Sequence, residues 1–349
     1  MPGIARETNL DVTIGGGNVA NAFAARVSLG YDMSYGTASV DIAGDWPGGN
    51  FEDQVDIVVN GEHWYSGVLT EVSYKYYPKA VTAICRGPMW YLDMSRFESD
   101  PTATNPTAEK GLFLEDFVGG PASDEAIVQA VIDRVGVSTN GGSIGGTGRI
   151  NGSIAPEEWA WRDGESALAY IQRIDQISLG YRTFESTGGS IFRSQVSVLP
   201  GGGADMSFQE GVDIVEAGNS RSIIDAFHAV RVSGYAVGDF LEPRVFTAGS
   251  GTRLYSVDSP MIERRAESST GDGISCEALA TYWLNELDRV FVKLSMTTPR
   301  NDNIGPGQVH NVQAGSRLQH SGDLWVQRVD KEYQPSGAIR QTMQYVGAG

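Results

Sequence analysis

Two cysteines in 349 residues, Cys85 and Cys276, are too few for a disulfide framework or a cysteine-rich metal centre. They read as small buried hydrophobes, and synthesis in a reducing compartment is expected. Histidine is as scarce: His63, His228, His310 and His320 are scattered, without a spacing such as His-Glu-x-x-His, so neither a metal nor a cofactor is expected. No run approaches the roughly eighteen apolar residues of a spanning helix. The first twenty residues hold Gly15, Gly16 and Gly17 but no basic segment leading into an apolar core, so no secretory signal is read. The chain is therefore expected to be soluble, made in the cytosol and without stable membrane insertion. Positive charge is in deficit as well, with 26 Lys and Arg against 43 Asp and Glu and a net charge of −17. Affinity for nucleic acid comes mainly from neutralising phosphates, and this balance argues against DNA or RNA as a tightly bound ligand.

The motifs of familiar chemistry are also missing. The glycine-rich stretch 139–152 lacks the lysine and the Ser/Thr of a Walker loop, and Gly146, Gly148 and Gly152 lack dinucleotide spacing. No Gly-x-Ser-x-Gly stands between a strand and a helix. Acidic pairs such as Asp163 with Glu165, or Glu157 with Glu158, suit the positive ends of helices. They also leave open a rival reading, a cell-wall glycosidase or peptidase using two carboxylates across a cleft. A third reading is a carbohydrate-binding β-module displaying tryptophans. No catalytic residue is assigned, and no enzyme is expected.

What is present is β-grammar. Val55, Ile57 and Val59 alternate up to an Asn60-Gly61 turn, and Val72, Tyr74 and Tyr76 alternate before a Tyr77-Pro78 turn. Val81, Ala83 and Cys85 return the chain to Gly87. Period-two alternation with such punctuation specifies antiparallel strands with one wet face. The pattern recurs near the C-terminus, where Trp325 and Val329 are spaced as Val68 and Val72 are, and Tyr333, Pro335, Ala338 and Ile339 echo Tyr77, Pro78, Ala80 and Val81. A second echo pairs Phe23 to Tyr31 with Phe227 to Tyr235. Two echoes in one order imply a β-module used twice. The aromatics, Trp64 with Tyr74, Tyr76 and Tyr77 among them, serve either as interface anchors or as the core of the first module.

Between the modules, residues 97–120 read as a connector. A helix capped by Ser123, with Asp124 and Glu125 at its positive end, places Ile127, Val128, Val131, Ile132 and Val135 on one face and stops at Gly136. A second helix is expected from Gly164 or Glu165 to Leu179, followed by a strand, a Gly188-Gly189 turn and another strand. A third is expected at Ser275 to Phe291, with Ala280, Trp283, Leu284 and Leu287 as its buried stripe.

Val59 to Gly67 with Val72, the Tyr77-Pro78 turn, and Cys85, Arg86, Gly87, Pro88 and Leu92 resemble the first module of bacteriophage tail baseplate hub proteins. That family includes the late-control-D type hubs and the related hub part of secretion-system spike proteins. The helix from Glu165 with Tyr181, Gly188, Gly189 and Phe192 resembles its middle domain. Ala226 to Tyr235 resembles a strand of its second tube domain, and Gly305-Pro306-Gly307 through Trp325, Val326 and Val329 its final hairpin. The resemblance implies a mainly β chain with an α+β insert: residues 1–95 as a first tube-type barrel domain, 96–205 as connector and middle α+β domain, and 206–349 as a second tube-type barrel domain. It further implies a homotrimer forming a pseudo-six-fold ring at the tail tip of a virion, made in the host bacterial cytoplasm. Such a ring joins a six-fold tail tube or distal tail protein to a three-fold tip, spike or fibre, meets the C-terminus of the tape-measure protein, and holds DNA only in transit through an acidic channel. The segments around Val27, Val72, Val232 and Val329 are the candidate tube-forming strands.

Overall fold

The computed structural model describes residues 9–96, 123–137, 164–178, 181–196, 203–222, 229–236, 243–249, 261–265, 280–282, 284, 291–314 and 320–348. The connector at 97–120, the glycine-rich stretch, Glu157, Glu158, Asp163, His228, Cys276 and most of the third expected helix lie outside these residues.

The N-terminal unit is built from β1 (Leu10–Ile14), β2 (Gly17–Asn18), β3 (Ala22–Gly30), β4 (Thr37–Ala43), β5 (Gln54–Val59), β6 (Glu62–Lys75) and β7 (Ala80–Arg86). The alternation read from sequence is the burial pattern: Val55, Ile57 and Val59 are fully buried, as are Val81, Ala83 and Cys85. The β5–β6 turn takes positive φ at both Asn60 and Gly61, the backbone that matches strand twist in a two-residue hairpin. The short α1 (Met89–Met94) follows.

The middle piece holds α2 (Asp124–Val135), α3 (Ala167–Ile177), β8 (Tyr181–Glu185) and β9 (Ile191–Gln195). Both helices start where serine permits, the Ser123 and Ser166 hydroxyls accepting from the Ala126 and Ala169 N–H groups. Asp124 departs from expectation. It is fully buried and ion-paired to Arg193 of β9 at 2.8 Å, so it ties helix to hairpin as well as serving the helix dipole.

The C-terminal unit contains β10 (Met206–Gln209), β11 (Glu216–Ser222), β15 (Phe291–Thr298), β16 (Val309–Ala314), β17 (His320–Tyr333) and β18 (Ile339–Ala348). Three further strands, β12 (Ala229–Ala236), β13 (Pro243–Gly249) and β14 (Met261–Arg265), form a separate three-stranded sheet. The other strands of both units belong to one 13-stranded sheet, β11-β15-β18-β17-β3-β4-β7-β6-β5-β1-β2, with β16 on β17 and β10 on β16. Hydrophobic side chains from both units, including Val27, Val40, Ile57, Trp64, Val329, Met343, Leu294 and Met296, share one core. Each such side chain contributes about 1.5–3 kcal/mol.

The strand order repeats. β3-β4-β7-β6-β5-β1 in the first unit matches β11-β15-β18-β17-β16-β10 in the second. The match extends to irregularities: the β6–β7 ladder skips Thr70 between Leu69 and Glu71, and the β17–β18 ladder skips Gln327 between Val326 and Arg328. Thus Val72 corresponds to Val329, as their spacing in sequence indicated. The second echo is corrected. The counterpart of β3 is β11, because Ala25 opposite Val40 corresponds to Ala217 opposite Met296. β12, with Val232, sits in the small sheet instead. The repeat ends at the outermost strand, where β1 joins β5 antiparallel but β10 joins β16 parallel.

Candidate assembly surface

Within the chain the two units meet along one seam. The first half of β17 pairs with β16, and the second half, Arg328–Tyr333, pairs antiparallel with β3 from Gly30 back to Ala25. Seam residues on one face are closed off: Val329 is fully buried, Lys331 is 1% exposed and Tyr333 is 8% exposed. The other face is ionic, with Arg26 against Glu332 at 3.3 Å and Arg328 against Asp330 at 3.0 Å.

Lys331 is the unusual member. Its ammonium lies 5.8 Å from the Trp64 ring centroid and has no hydrogen-bond acceptor. Burial pushes its pKa down to about 7, opposed by the charges of Glu62 and Asp302. The Trp64 indole N–H donates to Asn301 Oδ1 at 2.8 Å, and the Asn301 amide donates to the Val59 carbonyl at 2.7 Å. These bonds fix the segment after β15 to the start of β6, and Lys331 meets that point through the Trp64 ring.

The same positions of the first unit are uncovered. β6 pairs with β5 along Glu62–Val68 and with β7 along Val68–Lys75. Beyond Val68, its other edge carries no strand among the described residues. Tyr74 and Tyr76, which stand where Lys331 and Tyr333 stand in the second unit, are 70% and 99% exposed, and Tyr77 is 92% exposed. They are not core, which settles that alternative for these three, whereas Trp64 is fully buried. The matching bare edge is that of β11, which pairs only with β15 among the described residues. Beside it Val215 is 72% exposed, at the mouth of a groove of about 300 Å³ lined by Val215, Thr298, Pro299, Ala338 and Ile339.

The middle piece is held to the first unit by Glu185. Its buried carboxylate accepts from the Gly36 N–H at 2.6 Å and from the Met89 N–H. Side chains at Gly36 or Gly87 would occupy its place. Burial pushes the Glu185 pKa up to about 7 against those two hydrogen bonds.

Of the candidate strand residues, Val27, Val72 and Val329 lie in one sheet, Val27 and Val329 on the two strands of the seam and Val72 on the bare edge. Val232 is placed apart. β11 was not singled out from sequence, since its Glu-Ala-Gly-Asn-Ser-Arg-Ser run shows no hydrophobic alternation. His63 lies on β6 with Nε2 3.6 Å from Asp56, a cross-strand surface position. His310 is buried against the Tyr345 hydroxyl at 2.8 Å. Glu165 is engaged by Arg173 at 2.9 Å. Among the described residues, no group of three or more His, Cys, Asp or Glu is arranged to hold a metal, and no helix is long and apolar enough to cross a membrane.

No protein-family model matches the chain, and no curated protein sequence matches it. Solved structures do. A tail protein from Neisseria meningitidis MC58 aligns over 97% of this chain and 96% of its own length, with TM-score 0.65 and 9% identity. The 43 kDa tail protein of prophage MuSo2 from Shewanella oneidensis aligns over 98% and 97%, with TM-score 0.66 and 11% identity. An Escherichia coli component of the type VI secretion system, itself described as similar to T4 tail proteins gp27 and gp5, aligns over 99% of this chain and 77% of its own, with TM-score 0.53 and 10% identity. The chain therefore has the baseplate-hub-like fold shared by phage tail proteins and secretion-system spike proteins.

Proposed function

We propose that this protein is a structural hub of a phage tail, three copies of which form a ring whose six units alternate around a central channel. The observation that carries this reading is the pairing of one filled seam with two bare edges. β17 of the second unit is completed by β3 of the first, while the corresponding edges of β6 and β11, their counterparts, carry no strand among the described residues. A head-to-tail contact between copies closes into a ring when its rotation permits, and it satisfies strand edges that are otherwise a liability.

In this reading the ring adapts a six-fold tail tube or distal tail ring to a three-fold tip, spike or fibre, contacts the tape-measure protein, and resides in the virion after synthesis in the host cytoplasm. Its work is binding, with no turnover. A net charge of −17 suits a channel wall that repels phosphates and lets DNA pass without adhering.

Electron microscopy of the purified protein at high concentration, classified without imposed symmetry, tests the proposal. Three-fold rings with six lobes around an open channel are expected. Compact single particles with a closed cleft, or cell-wall hydrolysis lost on changing one acidic pair, would overturn it.

A further inference from the structure

We infer that Tyr76 is the anchor between copies: its ring lies over Ala217 and Val215 of the next copy and fills the groove beside them. The inference rests on the ring reading and adds its register.

The register follows from the repeat. Inside the chain, Val329 faces Leu29 and Tyr333 faces Ala25 across the seam. Val72 and Tyr74 occupy the positions of Val329 and Lys331, since both long strands carry their bulge at the same place, and Tyr76, the first residue beyond β6, continues that count to the place of Tyr333. Ala217 occupies the position of Ala25, since Ala25 is opposite Val40 and Ala217 is opposite Met296, on matching strands. Transferring the pairing sets β6 antiparallel to β11 of the next copy, with Val72 opposite Arg221 and Tyr76 opposite Ala217.

Side-chain direction agrees. With period two, Tyr74 shares a face with Val72, which packs partly on the core, and Tyr76 follows as the first residue of the turn. Ala217 also packs partly on the core, and Val215 lies two positions along on the same face. A residue reaches its diagonal neighbour when it is a long aromatic. Tyr76 and Val215 are 99% and 72% exposed in the single chain, whereas Tyr333 in the equivalent filled place is 8% exposed. The groove of about 300 Å³ offers Val215, Pro299, Ala338 and Ile339 as apolar lining, with Glu216 and Arg340 beside them, and has room for an aromatic ring. Charge agrees as well. Glu332 at the filled seam meets Arg26, and at the open seam Lys75 comes diagonal to Glu216 of the next copy, whose carboxylate is already paired with Arg340 at 2.7 Å and would be shared between the two cations.

The test uses the full chain with Cys85→Ala and Cys276→Ser as background, carrying Tyr76→Cys with Ala217→Cys, treated with a short bis-maleimide and run on denaturing gels. Covalent dimers and trimers are expected from the double variant and only single chains from either single variant. In a second measurement by sedimentation, Tyr76→Glu should raise the concentration for half-assembly at least tenfold. Tyr77→Glu, one residue further into the turn, should change it less than threefold. Rings seen by microscopy without the 76–217 cross-link, or with equal effects at 76 and 77, would overturn the anchor and leave the hub reading standing. Absence of any assembly by the unmodified protein would remove both.

Discussion

Glu185 and Lys331 place ionisable groups in the interior with opposite consequences for pH. The Glu185 pKa rises from 4.5 to about 7 because burial disfavours its charge, so the folded chain holds the proton more tightly than the unfolded chain. Stability from this group is full below about pH 4.5 and declines as pH rises to about 7. Thermal melts from pH 4 to 8 should show Glu185→Gln gaining on the wild type with rising pH, by about 3 kcal/mol across the range. A constant difference would show that the carboxyl does not titrate there. Lys331 has the converse shift, from 10.5 to about 7, so its penalty is full below pH 7 and fades as pH climbs to about 10.5. Lys331→Met keeps the stem and removes an ammonium without an acceptor. It is expected to raise stability near neutral pH by about 1–4 kcal/mol in chemical denaturation. A loss of similar size would mean that the contact with Trp64 outweighs desolvation. Neither residue was visible from sequence, because both depend on segments distant along the chain arriving at one point.

At the level of strands and helices, what sequence revealed was what local chemistry specifies. Ser123 and Gly136 bracket α2 as caps do, the latter in the left-handed conformation, and Asn60-Gly61 closes β5 on β6. The long strands were matched correctly because Val68 with Val72, and Trp325 with Val329, keep one spacing on either side of a shared bulge, whereas the match of Tyr333 with Tyr77 and Ile339 with Val81 is corrected, since the ladders set Tyr333 level with Tyr76 and Gln341 level with Val81. The match of β3 to β12 failed for a physical reason. Val230 and Val232 alternate like a core strand, while β11, which holds the equivalent place, carries Gly, Ser and Asn where a bare edge avoids exposed apolar surface. The α2–β9 tie offers an element-scale prediction. Arg193 is buried between Asp124 at 2.8 Å and Asp175 at 3.2 Å. Arg193→Met leaves two carboxylates without their shared cation and should cost about 3–5 kcal/mol in urea unfolding, with the middle piece melting first. A cost under about 1 kcal/mol would show that the carboxylates protonate cheaply.

Taken whole, the molecule spends most of its described strands on one continuous sheet. An isolated β6 edge bearing Tyr74 and Tyr76 is an aggregation hazard unless a partner covers it, and dilute protein is expected to bind a hydrophobic dye that assembled rings exclude. Equal dye binding in both states would show the tyrosines uncovered in the ring. The seam of β17 with β3 has a consequence for how such a ring comes apart. Because its two strands belong to one polypeptide, they meet at the high effective concentration of a tethered pair and stay joined at any dilution. Three of the six joints in a ring of three copies are therefore insensitive to protein concentration, and the other three obey mass action. Such a ring opens only at alternate joints, as a hinged band with fixed double links, and its assembly scales with the third power of chain concentration where six separate units would demand the sixth.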